Sequence, residues 1–278
     1  MCGRYSAGQL SLPMLAERFQ ADPAEAEAAG HQPSWNVTPT SQVLVVASVP
    51  QALRDGDDDA RHGVAGRTDA EEGTQAGGPG RVAASRRLRR LRWGLVPSWA
   101  KDLKLGSTMI NVRAESVTDK PTFKRLLAGR RCILPADGFF EWQDLGPDPE
   151  AKGRRRQRKQ PFYVTTRDGA PLALAGLWTT NSRADASGPV ESCTILTTSA
   201  NQLMGTIHHR MPVILPEATW DTWLDPDLDD LELLTELLVP APDELLTLWP
   251  VDPAVNSPRS NSSELIRPLE GHEARTWP

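Results

Sequence analysis

The sequence has few cysteines: Cys2, Cys132 and Cys193 in 278 residues. An odd, sparse set in a chain of this length excludes a disulfide framework and suits a reducing compartment. No cysteine pair has metal-ligand spacing. His208 and His209 are sequence neighbours, so on a strand they would point to opposite faces. No metal and no cofactor is therefore expected. Long apolar runs are also missing, which argues against a membrane span, and no basic start leads into an apolar core as in a signal peptide. These absences predict a cytoplasmic protein. Positive charge is in deficit, with 31 Lys and Arg against 36 Asp and Glu, a net charge of -5. That deficit speaks against indiscriminate polyanion binding, but local surface matters more than the total. Basic residues crowd positions 81–92, 120–131 and 154–159, and acidic ones 55–59 and 221–244.

What is present reads as many short strands with a few helices. Leu12, Leu15 and Phe19 share one face at helical spacing. Residues 33–40 form a loop with two prolines, and 43–49 are apolar and β-branched, a strand pattern. From about 51 to 84 Gly, Asp, Arg and Ala dominate without aromatics, which predicts a disordered insert between strands. Order resumes at 88–96. A second polar insert, 146–160, joins strands at 139–142 and 162–165; further strands are expected at 172–178, 192–198 and 211–215. Beyond Pro216 the pattern turns helical around Trp220, Trp223 and 228–238, with a last strand at 245–251 and a flexible tail from about 257. This predicts one α+β domain over residues 1–278, with an antiparallel, barrel-like sheet and peripheral helices. Trp35, Trp93, Trp178 and Trp220 are assigned to the core, and Cys132 and Cys193 to buried, inert thiols.

The chemistry starts at Met1-Cys2-Gly3-Arg4. Once Met1 is removed, Cys2 carries a thiol and a free α-amine on adjacent carbons. The amine can condense with an aldehyde, and the thiol can close on the imine to a five-membered thiazolidine. An internal cysteine cannot do this, because its nitrogen is in an amide. On its own a cysteine at position 2 is most often incidental. Further along come Trp93-Gly-Leu-Val-Pro-Ser-Trp99, Asn111-Val-Arg113-Ala-Glu115, Ala136-Asp137-Gly138-Phe139-Phe140-Glu141-Trp142, Thr197-Thr-Ser-Ala-Asn201 and Ile207-His208-His209-Arg210-Met211-Pro212.

With the Cys-Gly-Arg start, this ordered set resembles the SRAP (SOS-response-associated peptidase) family of abasic-site crosslinking proteins. The resemblance runs from Cys2 to about Pro216 outside the two inserts, and recurs near Val255-Asn256. It implies that Cys2 is the crosslinking nucleophile and that Asn111 hydrogen-bonds at the reacting centre. It implies that Glu141 shuttles protons beside the N-terminus and that His208 assists opening of the sugar. Arg4, Arg113 and Arg210 match DNA-backbone contacts, Trp99 and Pro39 match wedges against neighbouring bases, and Thr197 matches a polar contact near the lesion. The implied partner is single-stranded DNA with an abasic site, bound by a monomer associated with the nucleoid. At Ala100 some relatives carry a second aromatic, so weaker stacking is expected.

Read from the residues alone, each position keeps a plainer alternative. Glu141 fits an exposed strand, His208 a surface strand, Asn111 a turn or cap, and the arginines surface ion pairs. Two other functions fit the same set: a self-processing N-terminal cysteine hydrolase acting on the Met1–Cys2 bond, and a non-catalytic reader of damaged or modified DNA. The insert generates a first test. Residues 51–84 lack the apolar content to pack. Replacing them with a short Gly/Ser turn is expected to leave the melting temperature and DNA crosslinking close to wild type; a large fall in melting temperature would show that they pack.

Overall fold

A computed structural model describes residues 2–48, 86–147 and 157–276. The insert expected at 51–84 lies outside the described residues. The strands run in chain order β1 (Arg4–Ala7), β2 (Ala21–Asp22), β3 (Ser34–Val37), β4 (Gln42–Ser48), β5 (Arg86–Trp93), β6 (Asn111–Arg113) and β7 (Arg131–Ala136). They continue with β8 (Gly138–Pro147), β9 (Gln157–Thr166), β10 (Leu172–Asn181), β11 (Val190–Ser199), β12 (Arg210–Pro212), β13 (Leu246–Pro250) and β14 (Arg275–Thr276). The helices are α1 (Leu12–Phe19), α2 (Ala24–Ala28), α3 (Pro121–Gly129), α4 (Gln202–Gly205), α5 (Trp220–Leu224) and α6 (Leu231–Glu236).

The fold is α+β and mainly antiparallel, as the sequence pattern predicts. One sheet has the order β14-β13-β9-β8-β1-β3, with antiparallel pairing throughout. The second has the order β12-β11-β10-β7-β4-β5-β2, and β11 also pairs with β5, which closes β11, β10, β7, β4 and β5 into a barrel. Closure removes the exposed edges that an open sheet would leave. The closing pairs, like those of β6 with β11 and β2 with β5, are short and parallel. The two strands β4 and β5 pair Val43 with Leu91 and Val46 with Leu88, and these four residues, with Val45 and Trp93, are buried. A single apolar cluster joins the barrel interior to the inner face of the first sheet through Tyr5, Phe139, Phe162 and Val164. A smaller cluster on that sheet's other face gathers Phe140, Tyr163, Val251, Val255 and Leu265.

The helices plug the periphery. In α1, Ser11 caps the N-terminus through a bond from Met14 N, and Leu15 and Phe19 face inward, with Phe19 stacked on Trp220 at 4.3 Å. Arg131 is buried and fastens α5 to the barrel: its guanidinium donates to the carbonyls of Trp223, Leu127 and Asp225, and burial holds its pKa down at about 10.

Several expectations need correction. Ser34–Val37, read as loop, is a strand, because Trp35 and Val37 alternate against β1 despite the flanking prolines. The helix expected over 228–238 is confined to Leu231–Glu236, since its N-cap is Asp230, which accepts from Glu232 N and Leu233 N. The segment after 257, expected as a flexible tail, instead buries Leu265 and adds a strand to β13. Its serines and asparagines are engaged: the Asn261 side chain accepts from Trp35 N at 2.8 Å, and the Ser257 and Ser260 carbonyls accept from Asn36.

Glycine is required where the chain leaves β5. Gly94 has φ +120°, and a Cβ there would lie 2.4 Å from the Gly106 carbonyl oxygen. Gly94→Ala combines that clash with a backbone conformation that L-residues rarely adopt. The expected cost is about 3 kcal/mol, a fall in Tm on the order of 10 °C. A thermal melt within a degree or two of wild type would contradict this.

Candidate active site at the chain start

Arg4 faces Phe140 across the β1–β8 pair, so the residues before β1 run alongside Glu141 and Trp142. Asp137 secures this arrangement from below: its Oδ2 accepts from Ser6 Oγ, Gly8 N and Gln9 N at 3.0, 2.6 and 2.9 Å. Asn111, at the start of β6, is set against β11 opposite Ile195. From there its Nδ2 donates to the Cys2 carbonyl at 2.8 Å. Its Oδ1 is buried and has no hydrogen-bond partner among the described residues. Glu141 is buried on β8, with Oε1 accepting from Trp142 N at 3.2 Å and Oε2 3.9 Å from His208 Nδ1. Cys2, Asn111, Glu141 and His208, dispersed through the sequence, are thus brought together.

The Cys2 thiol is fully buried. Burial pushes its pKa up to about 12, and the neighbouring Glu141 carboxylate adds to the shift. At neutral pH it is therefore a thiol rather than a thiolate. His208 follows α4, whose N-cap Asn201 accepts from Met204 N at 2.9 Å, and its own backbone N–H bonds to Met204 O. Nδ1 of His208 is held by the Arg210 backbone, 3.0 Å from its N–H and 3.2 Å from its carbonyl oxygen. Burial lowers the His208 pKa, partly opposed by Glu141.

The remaining expected residues divide. Arg113 is exposed, and its side chain makes no hydrogen bond or ion pair among the described residues. Trp99 is 63% exposed, its Nε1 3.4 Å from Thr122 Oγ1. Pro39 lies in a turn hung on Trp93: Thr40 N donates to Trp93 O, and Trp93 N to Ser41 O. Arg4 and Arg210, by contrast, are engaged internally. Arg4 donates to Asn36 Oδ1 at 3.1 Å and to the carbonyls of Val255 and Asn256. Arg210 grips Glu115 with two bonds of 2.6 and 3.0 Å and donates to Thr197 O at 2.6 Å. That grip lowers the Glu115 pKa. Thr197 is fully buried beneath Arg210, so its side chain supports the arginine rather than reaching a ligand. Ala100, at 4% exposure, belongs to the core.

The basic run at 81–92 is largely internal where it is described. Arg86 pairs with Asp221, Arg89 with Glu25 and Glu191, and Arg90 donates to Ala29 O. Arg89 and Arg130 lie over the Trp178 ring at 4.8 and 4.4 Å. Sequence reasoning missed Glu115, which was quoted in a motif but given no role. It also missed Asn36, whose one signal is a polar residue between Trp35 and Val37, and Asn181, which reads as an ordinary turn asparagine.

The SOS response associated peptidase (SRAP) family model matches residues 1–258. The chain belongs to the SRAP family. Among its relatives, abasic site processing protein YoqW of Bacillus subtilis (strain 168) is 35% identical over 269 residues, covering 96% of this chain and 99% of that protein. Abasic site processing protein HMCES of Gallus gallus is 31% identical over 205 residues, 68% of this chain and 59% of that one. A crystal structure of a protein from Bacteroides thetaiotaomicron shares the fold, with TM-score 0.70 and 21% identity over 96% of this chain and all of that one. Among the described residues of this SRAP chain no His/Cys/Asp/Glu group could hold a metal ion, and no helix is long and apolar enough to cross a membrane.

The half-buried ring of His208 gives a direct test. Its titration midpoint, followed by the imidazole NMR signals, is expected below the ordinary histidine value of 6.5. The folded protein then binds fewer protons than the unfolded one below that value. His208 contributes stability above pH 6.5 that is lost as pH falls toward its depressed pKa. A midpoint at or above 6.5 would refute this environment.

Proposed function

We propose that the chain captures abasic sites in single-stranded DNA as a thiazolidine on Cys2, acting as a monomer in the nucleoid and protecting the lesion during the DNA damage response. The observation that carries the reading is the grip of Asn111 on the Cys2 carbonyl, with a second, buried amide oxygen still lacking a donor. Removal of Met1 gives Cys2 an α-amine that can supply that donor, and leaving a buried acceptor unmet costs about 1–3 kcal/mol. The names of the Bacillus and Gallus relatives support the same substrate.

The amine acts first, because the thiol can close a five-membered ring only on the imine that the amine forms. His208 relays a proton from the C1 hydroxyl of the closed sugar to its ring oxygen, and the sugar opens to the aldehyde. The α-amine adds to the aldehyde carbon, and Glu141 carries protons as the carbinolamine loses water. The Cys2 sulfur then bonds to the same carbon, and its proton passes to Glu141. One aldehyde and one aminothiol become one thiazolidine and one water, without oxidant, metal or cofactor.

Arg113 is the cation placed to meet a phosphate directly, while Trp99 and Pro39 abut the bases beside the gap, where stacking is lost. A phosphate approaching Arg210 has to displace Glu115. Arg4 acts mainly by tying the chain start to residues 255 and 256.

The test is a denaturing gel with a single-stranded oligonucleotide carrying one abasic site. The wild-type protein is expected to give a heat-stable shifted band. Cys2→Ala is expected to give none, and Cys2→Ser at most a reversible imine. A full-yield, heat-stable band from Cys2→Ala would sink the mechanism; turnover of peptide without a band would favour the hydrolase.

A further inference from the structure

Trp99 combines an exposed ring with an unusually well-fixed backbone. Val96 N donates to Ser192 Oγ at 2.8 Å. Ala100 N donates to Pro97 O at 2.9 Å, closing a turn with Trp99 inside it. Beneath that turn lies Asn181, the last residue of β10, at 0% exposure. Its Nδ2 donates to Pro97 O at 2.6 Å and to Ala100 O at 2.9 Å, so one amide holds both ends of the turn. Its Oδ1 accepts from Arg183 N at 2.7 Å and Ala184 N at 2.8 Å. All four hydrogen-bonding valences of the side chain are thereby filled.

A buried amide is costly unless fully satisfied, and an apolar residue would fill the same space without that demand. What an apolar residue cannot do is bind two carbonyls of a turn and two N–H groups of another loop at once. The ring above contributes nothing to core packing, so the hub serves the position of an exposed side chain. Fixing a side chain before it meets its ligand removes ordering entropy from binding.

We propose that Asn181 is the positioning residue for Trp99, holding the indole in place against the base that borders an abasic gap. The inference rests on the capture reading above and adds a residue that acts through another one. Asn181→Asp keeps the shape and the acceptor toward Arg183 and Ala184 but turns a carboxylate oxygen on the two carbonyls. The turn is then released while Trp99 itself is retained.

The experiment measures single-turnover crosslinking to an abasic oligonucleotide as a function of protein concentration, with full-length wild type, Asn181→Asp, Trp99→Ala and the double variant. Asn181→Asp is expected to raise the half-saturating concentration about tenfold, the scale of one lost base–aromatic stack, with its maximal rate unchanged. The double variant is expected to be no worse than the poorer single variant, because two changes acting through one side chain are not additive. With 2-deoxyribose, a small aldehyde without a neighbouring base, Asn181→Asp is expected to react at the wild-type rate. If Asn181→Asp does not fold, Ser192→Ala releases Val96 at the start of the same turn and is expected to give the same split. Losses that multiply in the double variant, or a slower reaction with 2-deoxyribose, would overturn this inference while leaving wild-type capture intact. A wild type that captures neither substrate would overturn the capture reading itself, and this inference with it.

Discussion

The hydrogen-bonded seam along β11 carries the geometry of the site. Gly94 N donates to Cys193 O, and Ile195 N donates to Ile110 O. Between those two stitches the chain makes an excursion that presents Trp99 and then returns as β6, delivering Asn111 and Arg113. The same strand pairs on its other side with β12, which begins at Arg210. Closure of the barrel and assembly of the site are therefore one event. The seam also explains why Gly94 cannot bear a side chain: the turn out of β5 must be tight enough to reach Met109 O with the next backbone N–H.

Electrostatically, the molecule uses its arginines inward before it uses them outward. Arg4, Arg86, Arg89, Arg131 and Arg210 all bind carbonyls or carboxylates of this chain. Guanidinium suits that work, since its planar fork satisfies several acceptors at once. Counting basic residues along the sequence thus overstates the charge on offer to a polyanion. Glu115 is the clearest case: it occupies the fork of Arg210 with two bonds, so a ligand phosphate meets an arginine that is already paired.

Much of this was legible in the residues, for stated physical reasons. The apolar, β-branched run at 43–49 announced a barrel strand, and the helical face of Leu12, Leu15 and Phe19 announced α1. The family resemblance, not the residues alone, put Glu141 beside Cys2; read alone, Glu141 fitted an exposed strand. What stayed hidden were polar residues whose role depends on distant backbone. Asn36, Asn181 and Asn256 look like loop asparagines in sequence; their partners are carbonyls, N–H groups or a tryptophan set by tertiary structure. Thr197 differs: its motif is legible, but its complete burial beneath Arg210 is not. The tail beyond 257 was misread because its composition is that of a linker, while its Ser257 and Ser260 carbonyls are bound by Asn36 and its Leu265 fills an apolar gap.

The bonds from Arg4 to the carbonyls of Val255 and Asn256 span 251 and 252 residues, and they bear on how the protein is born. During synthesis Cys2 leaves the ribosome long before Asn256. Contacts of such sequence separation form late. Until residues 255 and 256 emerge, Arg4, two residues from Cys2, lacks the carbonyls that hold it. A polypeptide cut short before residue 255 would carry Cys2 without this part of its setting.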